Sequence, residues 1–329
     1  MAKILAVGGA GFIGSYIVRE LLSGGHDVDV VDTFSKYGFL RHEFFSDKRL
    51  TYRIKDVRSM HPIEFRGYDH ILFLAALIGG IKYFHKIPYQ IARDNTESLS
   101  YAIDCTLSSS PDATFFYFSS SMVYERMERP VTEGDVRSQP VPITNYGMQK
   151  LFGEFLITGA NEEFGLNYLI VRPFNAVGSG ELPEVTGEGA VEFGIAHVIP
   201  DFVYKAIIKQ TPFQIFGDGA QVRTFTHAKD IASAILALLQ KGVKQDDFNI
   251  CGNNTYSISS LARRVWTMVN PRLEFPGFQH LPAPAGDVRF RVGVSEKIKE
   301  AVGWTPKYEI DYVVEDTLNF LKKWMAGSK

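Results

Sequence analysis

Lys3-Ile4-Leu5-Ala6-Val7-Gly8-Gly9-Ala10-Gly11-Phe12-Ile13-Gly14 opens the chain, and its reading decides the fold. A short apolar run breaks into glycines and an amphipathic segment follows, so the stretch reads as a buried strand, a tight turn and a helix N-terminus. That arrangement receives the pyrophosphate of a dinucleotide. Gly8 and Gly9 allow the sharp turn, Gly11 removes a Cβ from the path of the phosphates, and Gly14 lets the helix pack close to the sheet. The spacing fits G-x-G-x-x-G through Gly9, Gly11 and Gly14, or G-x-x-G-x-x-G through Gly8, Gly11 and Gly14. Glycine turns are common, so the context matters. A second apolar strand at 27–31 runs into Asp32, 21 residues after Gly11. A carboxylate at about that distance takes the adenosine ribose hydroxyls and repels the additional phosphate of NADP, so NAD is the expected cofactor.

Outward from this unit, strand and helix alternate. Further strands are expected at 50–54, leading to Asp56-Val57, then at 70–76, 114–118 and 167–171. Helices are expected at about 12–22, 89–107 and 146–164. The pattern implies an α/β fold, a doubly wound parallel sheet with right-handed crossovers. After Arg172-Pro173 the texture changes. The 178–194 stretch is rich in Gly, Glu and Pro and reads as a loop over the crevice. A helix near 199–209, a strand at 213–216, a helix at 231–239 and a last amphipathic helix at 312–324 follow. The expected division is a cofactor domain of residues 1–174 with about 224–250, and a smaller, mixed C-terminal substrate lobe of 175–223 and 251–329.

The 329 residues are 45% hydrophobic and 22% charged with a formal net charge of −2, the composition of an ordinary globular protein. No basic run suggests a nucleic-acid surface, and no apolar run approaches the ~20 residues that span a bilayer. The first strand begins at once, leaving no room for a signal peptide, and two widely spaced cysteines read as reduced thiols of a cytoplasmic protein. The eight histidines show no metal-ligand spacing, so no metal is expected.

Two groups carry chemistry. The strand at 115–118 runs into Ser119-Ser120-Ser121, hydroxyls at the carboxyl end of a strand, where ligands of open α/β sheets bind. Tyr146-Gly-Met-Gln-Lys150 places a phenol and an ammonium on one helix face. A neighbouring ammonium and an oxidised nicotinamide both favour tyrosinate. Ser120 then holds a substrate oxygen while Tyr146 takes its proton. Taken alone, Tyr-x-x-x-Lys is a frequent chance pattern on a solvated helix; the serines and the glycine turn upstream make it a catalytic candidate.

With these motifs together, the chain resembles the extended short-chain dehydrogenase/reductases of the NAD-dependent nucleotide-sugar epimerase/dehydratase group over nearly its whole length. The resemblance rests on Gly8 to Gly14, Asp56-Val57, Leu74-Ala75-Ala76, Ser119-Ser120-Ser121-Met122-Val123-Tyr124, Tyr146-x-x-x-Lys150, Arg172-Pro173-Phe174-Asn175, Gly217-Asp218-Gly219-x-x-x-Arg223 and Gly303-Trp304-Thr305-Pro306. It implies a Rossmann-type cofactor domain with Phe12, Ile13, Val57, Leu74, Ala75, Ala76, Asn95 and Pro173 around NAD and Asp56 at the adenine. The catalytic hydroxyl falls on Ser120, four positions before Tyr124, with Ser121 beside the substrate. Asn175 and Arg223 match residues that hold a nucleotide-sugar diphosphate. Arg291 is a candidate second clamp, with Arg289 as the alternative match.

Departures from the pattern choose among reactions. Related 4,6-dehydratases have acids just before the tyrosine of that Ser-rich segment, and decarboxylases commonly have a glutamate two residues before it; here Ser121 and Met122 stand there. The 3,5-epimerases have a cysteine at the position of Met122. His197 lies where such enzymes place a second acid/base group, and reads equally as a buried, hydrogen-bonded histidine. Lys82, Tyr83 and His85 are candidates for sugar contacts or for a packed aromatic loop. The remaining chemistry is epimerisation of a nucleotide sugar, at C4, through a transient ketone. A net dehydrogenase or reductase that stops at the keto sugar, or a 3,5-epimerase, is the alternative enzyme, and a non-catalytic dinucleotide sensor is the alternative of another class. The resemblance also implies a homodimer.

Overall fold

The computed structural model describes residues 1–36, 46–78, 86–181, 197–283 and 286–327. Lys82, Tyr83, His85 and most of the 178–194 loop lie outside the described residues.

Six strands of the N-terminal half, β1 (Lys3–Val7), β2 (Asp27–Asp32), β3 (Leu50–Ile54), β4 (His70–Phe73), β5 (Thr114–Phe118) and β6 (Asn167–Pro173), join one parallel sheet. A seventh strand from much later in the chain, β10 (Asp246–Ile250), completes it in the order β10-β6-β5-β4-β1-β2-β3. Strand order reverses between β1 and β4, and ligands of such sheets bind outside the carboxyl ends of the strands at that point.

The strands are apolar on both faces because helices cover both. Ile4, Ala6, Val28 and Val30 pack under α1 (Phe12–Ser23) and α5 (Ala228–Lys241). Their neighbours Leu5, Val7 and Val31 point the other way, towards α2 (Pro88–Ser109) and α3 (Asn145–Phe164). This alternation at a period of two, buried throughout, is the signature of a sheet covered on both sides.

The expected 70–76 strand ends earlier, at Phe73. Leu74 N–H still donates to Val7 O at 2.8 Å, but Ala75 then passes over the glycine turn. A Cβ on Gly8 would lie 2.5 Å from the Ala75 nitrogen. This close passage takes Ala75 and Ala76 out of the ladder, and with Leu74 they line the crevice.

The rest of the chain builds a second body. Short β7 (Ala176–Val177) and β13 (Phe290–Arg291) run parallel to β9 (Val222–His227), which pairs antiparallel with β11 (Asn254–Ser257). The strands β8 (Phe213–Phe216) and β12 (Phe278–Leu281) form a separate parallel pair. Their core, with Phe202, Phe213, Leu261, Trp266 and Val313, is closed by α4 (Val198–Ile207), α6 (Ile258–Val269) and α8 (Ile310–Gly327). A short α7 (Glu296–Val302) carries Ile298 into the main core.

Candidate active site

A cavity of about 950 Å³ lies over the carboxyl ends of β1, β4 and β5. At one end is the glycine turn. The helix α1 starts straight from Gly11 with no side-chain cap, so its first N–H groups face the cavity. A Cβ on Gly14 would sit 2.5 Å from Gly8 O and 2.8 Å from Gly9 Cα. Gly14 therefore serves the approach of the helix to the turn itself. Gly11 has more room, its nearest neighbour being Gly8 O at 3.4 Å. Asp32 ends β2 with its carboxylate on the amides of Ala10 (3.0 Å) and Phe34 (2.8 Å), which ties the acid to the turn.

Asp56, Val57, Leu74, Ala75, Ala76 and Asn95 continue the wall, with Phe12, Ile13 and Pro173. The Asp56 carboxylate is held by Arg58 through Nε (3.1 Å) and Nη2 (2.7 Å), and these bonds lower its pKa. Asn95 is buried and spends its amide on Leu77, accepting from its N–H at 2.6 Å and donating to its carbonyl at 3.2 Å. It thereby fixes the loop after β4.

At the other end stand Ser120, Tyr146 and Lys150. Thr144 caps α3 by accepting from Gly147 N–H at 3.0 Å. Two glycines let this helix settle onto the sheet: a Cβ on Gly147 would meet Met122 O at 2.8 Å, and one on Gly153 would meet the Tyr117 hydroxyl at 2.2 Å. The helix thus brings Tyr146 and Lys150 over the end of β5. Lys150 Nζ donates to Phe118 O at 2.6 Å and lies 5.1 Å from the Tyr117 ring centroid and 5.9 Å from that of Tyr146. Burial pushes the lysine down to about 7, against the pull of Glu154. Burial pushes Tyr146 up to about 12, while a hydrogen bond with Ser120 and the charge of Arg291 act in the opposite direction. Beneath them Arg172 grips Glu154 with Nε and Nη2, both at 2.7 Å, and Ser119 Oγ donates to the same carboxylate.

On the lobe side the candidates separate. Asn175 faces the cavity, its backbone at φ +37° and its amide donating to Thr224 O at 2.6 Å. Arg291 also enters the cavity, where Nη1 contacts Met122 Sδ at 3.0 Å. Arg223, its register partner across β9 and β13, is absent from the lining; it is buried and bonds Asp287 at 3.2 Å. Burial and the charge of Arg291 lower its pKa to about 9. Arg289 is exposed and paired with Asp218 at 2.7 Å, away from the cavity. His197 Nδ1 meets buried Glu181, and both line the cavity with Ser121.

Arg58, Glu181 and Trp324 are cavity residues that the sequence did not single out. Arg58 follows Asp56 by two residues, a visible clue, whereas Glu181 and Trp324 reach the site only through tertiary packing.

A glycine-turn crevice joined to a Ser-Tyr-Lys group defines a dinucleotide-dependent enzyme that acts on a hydroxyl or carbonyl carbon. The chain belongs to the NAD dependent epimerase/dehydratase family, whose model matches residues 4–251. A UDP-glucose 4-epimerase of Lacticaseibacillus casei is 29% identical, covering 98% of each chain. A GDP-mannose 3,5-epimerase of Arabidopsis thaliana is 28% identical over 99% of this chain and 84% of its own. Among solved structures, UDP-glucose 4-epimerase of Thermotoga maritima with UDP-glucose superposes with a TM-score of 0.82 at 24% identity, covering 98% and 99% of the two chains. The dTDP-glucose 4,6-dehydratase DesIV of Streptomyces venezuelae, with NAD bound, gives 0.85 at 22% identity and covers 99% and 98%. The cofactor is NAD, and the residues present fit it: the turn is bare where a Cβ would intrude, α1 presents free N–H groups, and Asp32 stands at the end of β2.

Proposed function

We propose that this protein epimerises a nucleotide-activated sugar at C4 through a transient ketone. NAD, when bound, supplies the acceptor and donor of the hydride. Ser120 holds the C4 oxygen, and Tyr146 removes its proton as the carbon is oxidised. Lys150 supports the tyrosinate, and after the ketone turns over in the cavity Tyr146 returns the proton. Asn175 faces the diphosphate, and Arg223, held on Asp287 behind the lining, adds its positive charge to that end of the site. The observation that carries this reading is the juxtaposition of Ser120, Tyr146 and Lys150 in one cavity with the glycine turn, with a thioether at residue 122 where elimination or decarboxylation calls for an acid.

The test is incubation with a panel of nucleotide sugars, following product configuration and the absorbance of reduced nicotinamide. An isomer formed without added NAD supports the epimerase. Stoichiometric accumulation of reduced cofactor sinks it in favour of a dehydrogenase, and no turnover with any sugar favours the sensor.

The same reading includes the division into residues 1–174 with about 224–250 for the cofactor and 175–223 with 251–329 for the sugar nucleotide. It also makes the protein a cytoplasmic homodimer of carbohydrate biosynthesis. Two buried free cysteines suit a reducing compartment, and an exposed apolar face on α3 suits self-association. Among the described residues no helix is long and apolar enough to cross a membrane.

A further inference from the structure

We propose that Arg291 and Ser121 form a subsite for a carboxylate carried on the sugar ring, so that the substrate is a nucleotide-linked hexuronic acid; this rests on the C4 reading above. The two side chains enter the reacting end of the cavity with polar atoms unsatisfied. Arg291 lies at the end of β13, and its one hydrogen bond among the described residues is to the Met122 thioether, a weak and neutral acceptor. Its Nε is buried with no partner among them. The Ser121 hydroxyl is also buried without a partner there, and it directly follows Ser120.

The carboxylates whose charge acts on Arg291, Asp287 and Glu125, are hydrogen-bonded elsewhere, and Glu181 of the same lining holds His197. Asp287 holds Arg223 with one oxygen and Gln221 with the other. Glu125 holds the start of α3, accepting from Thr144 N–H at 2.6 Å and Thr144 Oγ1 at 2.7 Å. Among the described residues, the desolvated guanidinium fork therefore lines the cavity with no carboxylate hydrogen-bonded to it. Its natural complement is a planar anion with two oxygens, and a hydroxymethyl group supplies neither the charge nor the second oxygen.

Position separates this anion from the diphosphate. With the C4 hydroxyl on Ser120 and Tyr146, the anomeric carbon and its diphosphate lie across the ring. Met122, which Arg291 touches, shares an apolar cluster with Tyr146. A cation there meets a substituent on a carbon adjacent to C4, and C5 of a hexuronic acid bears the carboxylate.

The experiment uses the full chain with NAD and two matched pairs, UDP-glucuronate with UDP-glucose and GDP-mannuronate with GDP-mannose. Bare UDP and GDP serve as probes of the diphosphate. The expected result is a preference for one acidic sugar over its neutral partner of about thirtyfold in kcat/KM, as a charge-assisted bond supplies. Arg291→Gln collapses that ratio towards one, Arg291→Lys restores part of it, and Ser121→Ala reduces it severalfold. Thermal midpoints of the three variants, read beside the ratios, identify one that fails to fold, and the remaining two then decide. A parallel loss of both sugars and of the bare nucleotide in Arg291→Gln makes Arg291 a diphosphate clamp and overturns the inference. Turnover without preference for the acid also overturns it while leaving the epimerase intact, and failure to bind any of the four sugars overturns it as well. Arg291-dependent binding of the acid without isomerisation, or with loss of CO2, keeps the subsite and overturns the epimerase.

Discussion

Tyr146 and Lys150 titrate in opposite directions because one apolar site disfavours the charged form of each. Removing the phenol oxygen removes the proton acceptor while leaving the ring that fills the apolar cluster. Tyr146→Phe is therefore expected to lower kcat by about 10²–10⁴-fold, the usual contribution of a positioned acid/base, with NAD still bound. Undiminished turnover excludes Tyr146 as the base. Lys150 gives a separate, equilibrium signature. Its folded value is about 7 against 10.5 for the free side chain, so between these pH values the unfolded chain holds a proton that the folded chain lacks. Stability contributed through this lysine therefore rises as pH increases from about 7 to 10.5, and is at its constant minimum below 7. The urea midpoint of Lys150→Met, followed across that range, should lack this rise. An identical pH dependence in both proteins places a charged lysine in the folded site.

Elements divide according to how local their signals are. The glycine turn, β5 with its serines and α3 with Tyr-x-x-x-Lys were legible because each motif is contiguous and sits on a complete hydrophobic period. The early end of β4 was not, because it depends on the closeness of Ala75 to Gly8 across the sheet. Nor was β10, where no strand was expected; in the fold Lys297 from α7 binds its first residues, Asp246 and Asp247, at 2.5 and 2.7 Å. The choice between Arg291 and Arg289 for the second clamp, and the place of Arg223 behind the lining, depended on the pairing of the two-residue β13 with β9, a long-range register with no sequence period of its own. At the glycine turn, substitution separates packing within the protein from contact with the cofactor. Gly14→Ala forces a Cβ to 2.5 Å from Gly8 O and should cost about 1–3 kcal/mol of stability together with NAD affinity. Gly11→Ala meets the protein at an ordinary 3.4 Å, so a loss of NAD affinity without loss of stability is expected. Calorimetric titration beside thermal melts distinguishes the two, and equal destabilisation of both variants contradicts the assignment.

At the scale of the whole molecule, the long helices α2 and α3 pack on each other and on the sheet, yet α3 also presents an apolar face outward. Met148, Phe152 and Phe155 are 42%, 49% and 55% exposed, spaced four and three residues apart on one side of the helix. Tyr89, at the start of α2, is 72% exposed. The opposite side of α3 carries Tyr146, Lys150, Gly153 and Ile157 into the site and core. One helix thus connects an outer apolar surface with Tyr146 and Lys150 in the cavity. If that surface joins two copies, an introduced charge at its centre is buried without a partner in the dimer but hydrated in the monomer. Phe152→Lys is therefore expected to weaken dimerisation by about 2 kcal/mol or more, roughly thirtyfold in the dissociation constant. Sedimentation velocity over a concentration series reads this directly, with NAD affinity of the separated chains as a check on folding. A wild-type protein that sediments as a monomer at tens of micromolar, or a variant that dimerises as tightly as the parent, removes α3 from the interface.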